Sequence, residues 1–345
     1  MKSRQRVLAF ILALVFALTF TACGTSSGGA SGAPAGTSPS AQASTQTANN
    51  SEAPAFKLGW VCGNGNAAFQ LRVQNAMVEI GAENGIEVLV SDAKNDVTQE
   101  VNLIESYIAM GVNAVASAPR DRDGTAVAVD ECWDANIPYI SCFGEVNTDR
   151  IYAGSSEITA GRAQAQYLAE VLPENGKILY LTNNPTHANY IGRKEGLQLL
   201  FELRPDVEVL DEQNCQLKTD KAMEITENWI QLYSEFDAIV GQNDDCCIGA
   251  YEALKAADRI EGVTLVGIDG NENALISVQN GEMSATCYQD ARTIAQHIID
   301  VCLRIRDGED PKNIPDQEVP FSLVTKENVD FYLDALRNNI AVLEE

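Results

Sequence analysis

From Phe56 onward, short apolar runs alternate with stretches of helical period, and this alternation constrains the fold more than any other feature of the chain. Strand-like runs lie at 56–62, 86–91, 114–118, 139–142, 177–182, 207–211, 238–241 and 264–268. Helical spacing fills 69–84, 97–110, 125–135, 159–171, 191–203, 220–234 and 247–257 between them. Gly85 and Gly111 stand just past the first two helical stretches, where a residue free to adopt the left-handed backbone ends a helix. Pro119, which has no N–H to give a ladder, stops the third strand. Alternation of this kind is the signature of βαβ units and parallel sheets. The units are too many for one sheet, so the reading is α/β with two doubly wound parallel sheets of similar build.

Sheets wound this way bind ligands at the carboxyl ends of their strands, so the chemistry should lie in the loops that follow each strand. Those loops read Gly63-Asn64-Gly65-Asn66, Asp92-Ala93-Lys94-Asn95-Asp96, Pro119-Arg120-Asp121, Phe143-Gly144-Glu145, Asn183-Asn184, Gln242-Asn243-Asp244-Asp245 and Asp269-Gly270-Asn271. Amides and carboxylates dominate. They supply the donors and acceptors that hydroxyl groups need, although the same residues also serve as turn and N-cap formers.

The first residues have the pattern of an export signal rather than a fold element. Lys2, Arg4 and Arg6 precede the apolar run 7–20, which is short for a membrane span. Phe20-Thr21-Ala22-Cys23-Gly24 resembles a bacterial lipobox, with Cys23 the thiol that takes the lipid; an ordinary cleavage site ending at Ala22 is the alternative. Residues 23–54 are mostly small and polar and cannot bury enough surface to fold, so they read as a flexible tether. A tether behind a lipidated cysteine holds a soluble domain at the outer face of the membrane.

The net charge of −25, from 24 basic against 49 acidic residues, excludes nucleic acid as a partner, because phosphate backbones are bound by basic patches. Of the nine cysteines, Cys62, Cys142 and Cys287 sit in or beside strand-like runs and read as small buried hydrophobes. Cys246-Cys247 is either a vicinal disulfide or two thiols at a helix start. Two histidines far apart in sequence, His187 and His297, give no support to a metal site.

Several local patterns, in order along the chain, resemble the type I periplasmic sugar-binding family, which contains the ribose-binding proteins. They are Asn66-Ala67-Ala68-Phe69, Asn136-Ile137-Pro138, Arg193-Lys194-Glu195-Gly196, Gln242-Asn243-Asp244-Asp245, Gly267-Ile268-Asp269-Gly270 and Ala285-Thr286-Cys287-Tyr288-Gln289. The resemblance covers 56–325. It implies two lobes joined by a three-segment hinge, with the chain crossing near Gly154, Gln289 and Pro320. The expected division is a signal peptide at 1–22, a tether at 23–54, an N-terminal lobe of 55–153 plus 290–319, and a C-terminal lobe of 154–289 plus 320–327. A helical tail follows at 328–345, carrying Phe331, Leu333 and Leu336 on one side.

The resemblance also implies ligand contacts. Asn66 would bond a hydroxyl, Phe69 would pack on a sugar face, and Arg193 would donate its fork. Asn243, Asp269 and Gln289 would complete a polar cage. Where many pentose and hexose binders carry Asp-Arg after the fourth strand, this chain has Phe143-Gly144-Glu145, so Glu145 is the expected replacement and ribose is disfavoured. Ala68 and Leu217 stand where the family often has aromatics; Trp60 or Phe143 could supply that face or belong to the core. The implied protein is a monomer with no cofactor and no catalysis, serving an ABC transporter permease or, alternatively, a membrane receptor.

An enzyme reading competes. Gly63-x-Gly65-x-x-Ala68 after a strand, with Asp92 closing the next one, has the spacing of a dinucleotide fingerprint and would make the chain an NAD-binding Rossmann enzyme. Against it, no His or Lys stands out as a hydride-step acid. Ser155-Ser156 and the cysteines lack a nearby histidine in sequence, and Asp244-Asp245 reads as N-cap and hydroxyl acceptor rather than as an acid/base pair.

Overall fold

The computed structural model describes residues 56–342; the expected signal peptide, Cys23 and the tether lie outside them. The first sheet takes β1 (Phe56–Cys62), β2 (Ile86–Asp92), β3 (Ala114–Ser117), β4 (Tyr139–Ser141) and β5 (Ile151–Gly154). With β11 (Gln317–Glu318) at its edge, its order is β11-β5-β4-β3-β1-β2, and every pairing is parallel. The second sheet takes β6 (Lys177–Thr182), β7 (Glu208–Asn214), β8 (Ala238–Gly241), β9 (Thr264–Asp269), β10 (Ala285–Tyr288) and β12 (Ser322–Thr325). Its order, β12-β10-β9-β8-β6-β7, repeats the first, with only β12 antiparallel.

Alternate residues of each strand feed two helical layers, because side chains in a strand point to opposite faces. On one face of the first sheet Leu58, Trp60 and Ile140 pack with α1 (Ala68–Glu83) and α9 (Ala291–Arg306) through Met77 and Ile298. On the other, Val61, Val115 and Tyr139 meet α2 (Val97–Met110) and α3 (Ala126–Asp134) through Ile104 and Val129. The second sheet is covered in the same way. Ile178, Tyr180 and Val240 pack with α4 (Glu157–Val171) and α5 (Ala188–Leu203). Leu179, Leu181 and Ile239 pack with α6 (Thr219–Leu232), α7 (Asp244–Ala256), α8 (Glu272–Asn280) and α10 (Val329–Arg337).

The chain passes between the lobes three times, from β5 to α4, from β10 to α9, and from β11 to β12. The alternation in the sequence stops at Ile268, whereas the structure continues with α8, β10, α9, β11 and β12. β5 and β11 are four and two residues long, too short to show a period. The tail forms a shorter helix than expected, and Phe331 does not share its buried side: Val329 and Leu333 face the second core while Phe331 is 59% exposed. Two residues of separation turn a helix by about 200°, which puts Phe331 and Leu333 on different faces.

Candidate functional site

The strand-end loops of the two sheets face each other around a cavity of about 600 Å³. The loop after β1 is held by its own neighbours. Asp92 Oδ1 accepts from the Gly65 amide at 2.9 Å and from the Lys94 amide at 2.8 Å, and Gln70 Oε1 accepts from the Asn64 amide at 3.0 Å. Asp92 is therefore spent on the loop itself. A side chain at Gly63 would collide with the Arg120 guanidinium, so the space a pyrophosphate would need is filled by an arginine. The dinucleotide spacing is a by-product of this tight turn.

Asn66, Phe69, Arg193, Asn243, Asp269 and Gln289 all line the cavity. From the first lobe, Phe69 opens α1 and meets Phe143 edge to face at 5.1 Å. Phe143 holds a positive φ of 62°, which brings its ring to the cavity wall. Trp60 is fully buried behind Phe143 at 6.2 Å and belongs to the core. Leu217, on the second-lobe loop after β7, also lines the cavity.

Glu145 does not join them. Its carboxylate takes the fork of Arg150 at 3.0–3.1 Å, while the same arginine holds Asp316 at 2.8 Å, and this network turns Glu145 away from the cavity. The expected replacement for the Asp-Arg pair is thus committed elsewhere.

The second lobe supplies the charged part. Arg193 Nε donates to Glu157 Oε2 at 2.5 Å, its Nη1 donates to the Gln242 carbonyl, and its Nη2 stands 3.6 Å from Asp269 Oδ1. Burial alone would lower the guanidinium's pKa, but Glu157 and Asp269 outweigh it and hold it above its ordinary value. Asp269 goes the other way: burial pushes its carboxyl up to about 7, Arg193 pulls it back only partly, and Asp245 and Glu157 push it further. The site therefore sets a carboxyl held above its ordinary pKa beside a charged arginine.

Gln289 completes the wall from the hinge. Its Nε2 is buried and has no hydrogen-bond partner among the described residues, a costly arrangement unless something in the cavity accepts from it. Asn243 has a second job, since its Oδ1 caps α7 by accepting from the Cys246 amide at 3.0 Å. That cap role was expected of Asp244-Asp245. Instead Asp244 is fully buried, accepting from Thr286 Oγ1 at 2.6 Å and from the Asn271 amide at 2.8 Å.

Glu157 also lines the cavity, a residue that the sequence does not mark, and Arg120 lines it from the strand-end loop after β3. Glu157 follows the first crossing in the first turn of α4, which begins two residues before the helical spacing that the sequence shows from 159, and an acidic residue there complements the helix dipole. Arg120 donates Nε to the Ala118 carbonyl at 3.0 Å and Nη1 to Asn95 Oδ1 at 3.2 Å, and its amide donates to Glu100 Oε2 at 2.9 Å.

The lobes also touch across the cavity mouth. Arg72 on α1 donates Nη1 to Asn271 Oδ1 at 3.0 Å and lies 5.7 Å above the Phe69 ring. Asp121 and His187 form an isolated antiparallel bridge between the two lobes. Cys62, Cys142 and Cys287 are buried free thiols, and Cys246 and Cys247 are unlinked at the start of α7. Among the described residues, no cluster of His, Cys, Asp or Glu is placed to hold a metal.

The family model described as periplasmic binding protein domain matches residues 58–310. A xylitol-binding protein of Mycolicibacterium smegmatis is 31% identical over 255 residues, which span 73% of this chain and 72% of that protein. The ribose import binding protein of Bacillus subtilis is 22% identical over 72% of this chain and 81% of that one. Among solved structures, an ABC transporter solute-binding protein from Bacillus halodurans with bound myo-inositol superposes with a TM-score of 0.76 at 30% identity, covering 81% of this chain and 98% of that one. Two matching sheets, three crossings, a polar cavity between the lobes and these similarities have one reading: the chain belongs to the periplasmic binding protein family and binds its ligand without chemical conversion.

Proposed function

We propose that this protein captures a small polyhydroxylated ligand, a polyol, cyclitol or monosaccharide, outside the cytoplasm and delivers it to the permease of an ABC importer. The observation that carries the reading is the cavity wall itself. Donors and acceptors from both lobes and the hinge converge there with the edge-to-face pair Phe69 and Phe143, and Gln289 presents a buried donor that only a guest oxygen would satisfy. Asn66 and Asn243 bond hydroxyls, Arg193 and Asp269 bind as donor and acceptor side by side, and Phe69 packs on the C–H face. Contacts made in both lobes at once stabilise the closed form.

Two of the relatives at 30% identity or above favour a polyol. One is named for xylitol and one structure holds myo-inositol, and neither compound has an anomeric carbon. The loss of the Asp-Arg pair after β4, with Glu145 held by Arg150, agrees with a ligand other than ribose. We place the first lobe at 56–153 plus 290–319, the second at 154–289 plus 320–327, and after them a tail whose helix is Val329–Arg337. Cys23 carries the lipid that anchors a monomer to the cell membrane through the tether.

A thermal-shift screen of xylitol, myo-inositol, ribose and common hexoses tests the reading, since a ligand bound only by the folded state raises its melting temperature by mass action. At least one polyol or sugar should raise Tm by several degrees at millimolar concentration; a flat response across the panel would refute it. Labelling with a fatty acid in the native host, lost in Cys23→Ser, tests the anchor.

A further inference from the structure

Two buried cysteines from separate elements of the second lobe meet behind the cavity wall. Cys215 lies in the loop between β7 and α6, with its amide bonded to the Thr182 carbonyl at 2.9 Å. Cys246 lies in the first turn of α7, fixed by the Asn243 cap. Both are fully buried, and their sulfurs are 3.0 Å apart. That is roughly 1 Å beyond the ~2.05 Å of a disulfide bond. Cys247, next in sequence, packs instead against β8, where a side chain at Gly241 would come within 2.6 Å of its sulfur.

We propose that Cys215 and Cys246 form a structural disulfide when the chain folds in an oxidising compartment, stapling the β7–α6 loop to the start of α7. The sequence offers only the neighbouring pair Cys246-Cys247 as a candidate, and the tertiary contact replaces it. The reaction is a thiol–disulfide exchange with a small-molecule or protein disulfide of the compartment. The Cys215 thiolate attacks one sulfur of the oxidant and expels the other as a thiolate, giving a mixed disulfide. Cys246 then loses its proton and attacks the Cys215 sulfur, closing the bond and expelling the second oxidant sulfur. Two thiols are oxidised and one disulfide is reduced to two thiols. Either thiol can make the first attack with the same balance, since their packing against each other forms only as the lobe closes. Because both sulfurs are buried in the folded lobe, the exchange belongs to folding or to transient opening of α6 from α7.

The staple has a functional consequence. The β7–α6 loop gives Gln216, Leu217 and Lys218 to the cavity wall, and the start of α7 gives Asn243 and Asp245. Linking residues 31 apart in sequence fixes these two stretches relative to each other before any ligand arrives. The pairing stands on geometry alone and is independent of which ligand is bound.

The test uses the full chain, unfolded and refolded in a glutathione redox buffer, then alkylated before and after reduction and mapped by peptide mass. The expected result is a Cys215–Cys246 linked peptide and a melting temperature higher than that of dithiothreitol-treated protein by on the order of 10 °C, the effect of closing a loop of this length. Cys247→Ser should keep both signals, and Cys215→Ser or Cys246→Ser should abolish both. Alkylation of both Cys215 and Cys246 in the oxidised refolded protein, or a Cys246–Cys247 linkage in its place, would overturn the proposal. Wild-type mapping decides even if a serine variant fails to fold.

Discussion

Gly161 on α4 and Gly196 on α5 face each other at the crossing of the two helices. A side-chain carbon on Gly196 would collide with the Ile158 carbonyl, and one on Gly161 with the Arg193 carbonyl. The close approach brings Glu157 and Arg193, one from each helix, into their 2.5 Å bond. Gly196→Ala should therefore destabilise the protein by about 3 kcal/mol through overpacking and weaken ligand binding by displacing Arg193. Urea denaturation checks the first effect; an unchanged midpoint would show that the helices separate freely.

Arg193 is balanced by two buried carboxyls, so removing it should cost more than its hydrogen bonds. Arg193→Ala is expected to lose about 3–5 kcal/mol of stability, because Glu157 and Asp269 are left buried without their cation. Adding Asp269→Asn to that variant should recover part of the loss. Additive losses in the double variant would mean that Arg193 and Asp269 are not coupled.

Gln289→Leu separates ligand contact from scaffold. Its Nε2 has no partner among the described residues, so the ligand-free Tm should stay level or rise. The ligand-induced Tm shift should shrink, with affinity falling at least about 10-fold by calorimetry, as expected when a ligand oxygen loses a buried donor. Retained affinity would remove Gln289 from the site.

Arg72 ties the first lobe to Asn271 of the second. Arg72→Ala should leave each lobe folded but favour the open form, seen as a larger radius of gyration in small-angle scattering and roughly 10-fold weaker binding. Unaltered scattering would place the closing energy elsewhere.

His187 makes the closed form sensitive to acid. Burial, helped by the nearby Arg120, lowers the pKa of its ring to about 4, with Asp121 opposing. The folded protein thus binds this proton less readily than the unfolded chain. The neutral ring's contribution is fully present above the ordinary value near 6.5 and is lost as pH falls from there through about 4. The loss should be about 1–2 kcal/mol, below the full linkage value because the ring keeps solvent contact. His187→Gln should flatten Tm between pH 6.5 and 4 relative to wild type; a parallel profile would exclude His187.

Much of the architecture is written locally. Strand β6 and helix α2 have the bounds their apolar patterns imply, since each pattern reports one element's own burial. The doubling of the sheet follows from counting such units, and the polar strand-end loops mark where a ligand would sit. Residue identity alone did not place Glu145, whose partner Arg150 is nearby in sequence while the third member, Asp316, arrives from a distant crossing. Nor could it show that Glu157 faces the cavity, that Gln289 is left with a spare donor, or that Cys215 reaches Cys246 rather than either pairing with Cys247. Local pattern determines which elements form and which face of each is buried, because these depend on neighbours within a few residues. Only the packed structure decides which polar groups meet, because desolvation and partner geometry are set by residues brought together from far along the chain.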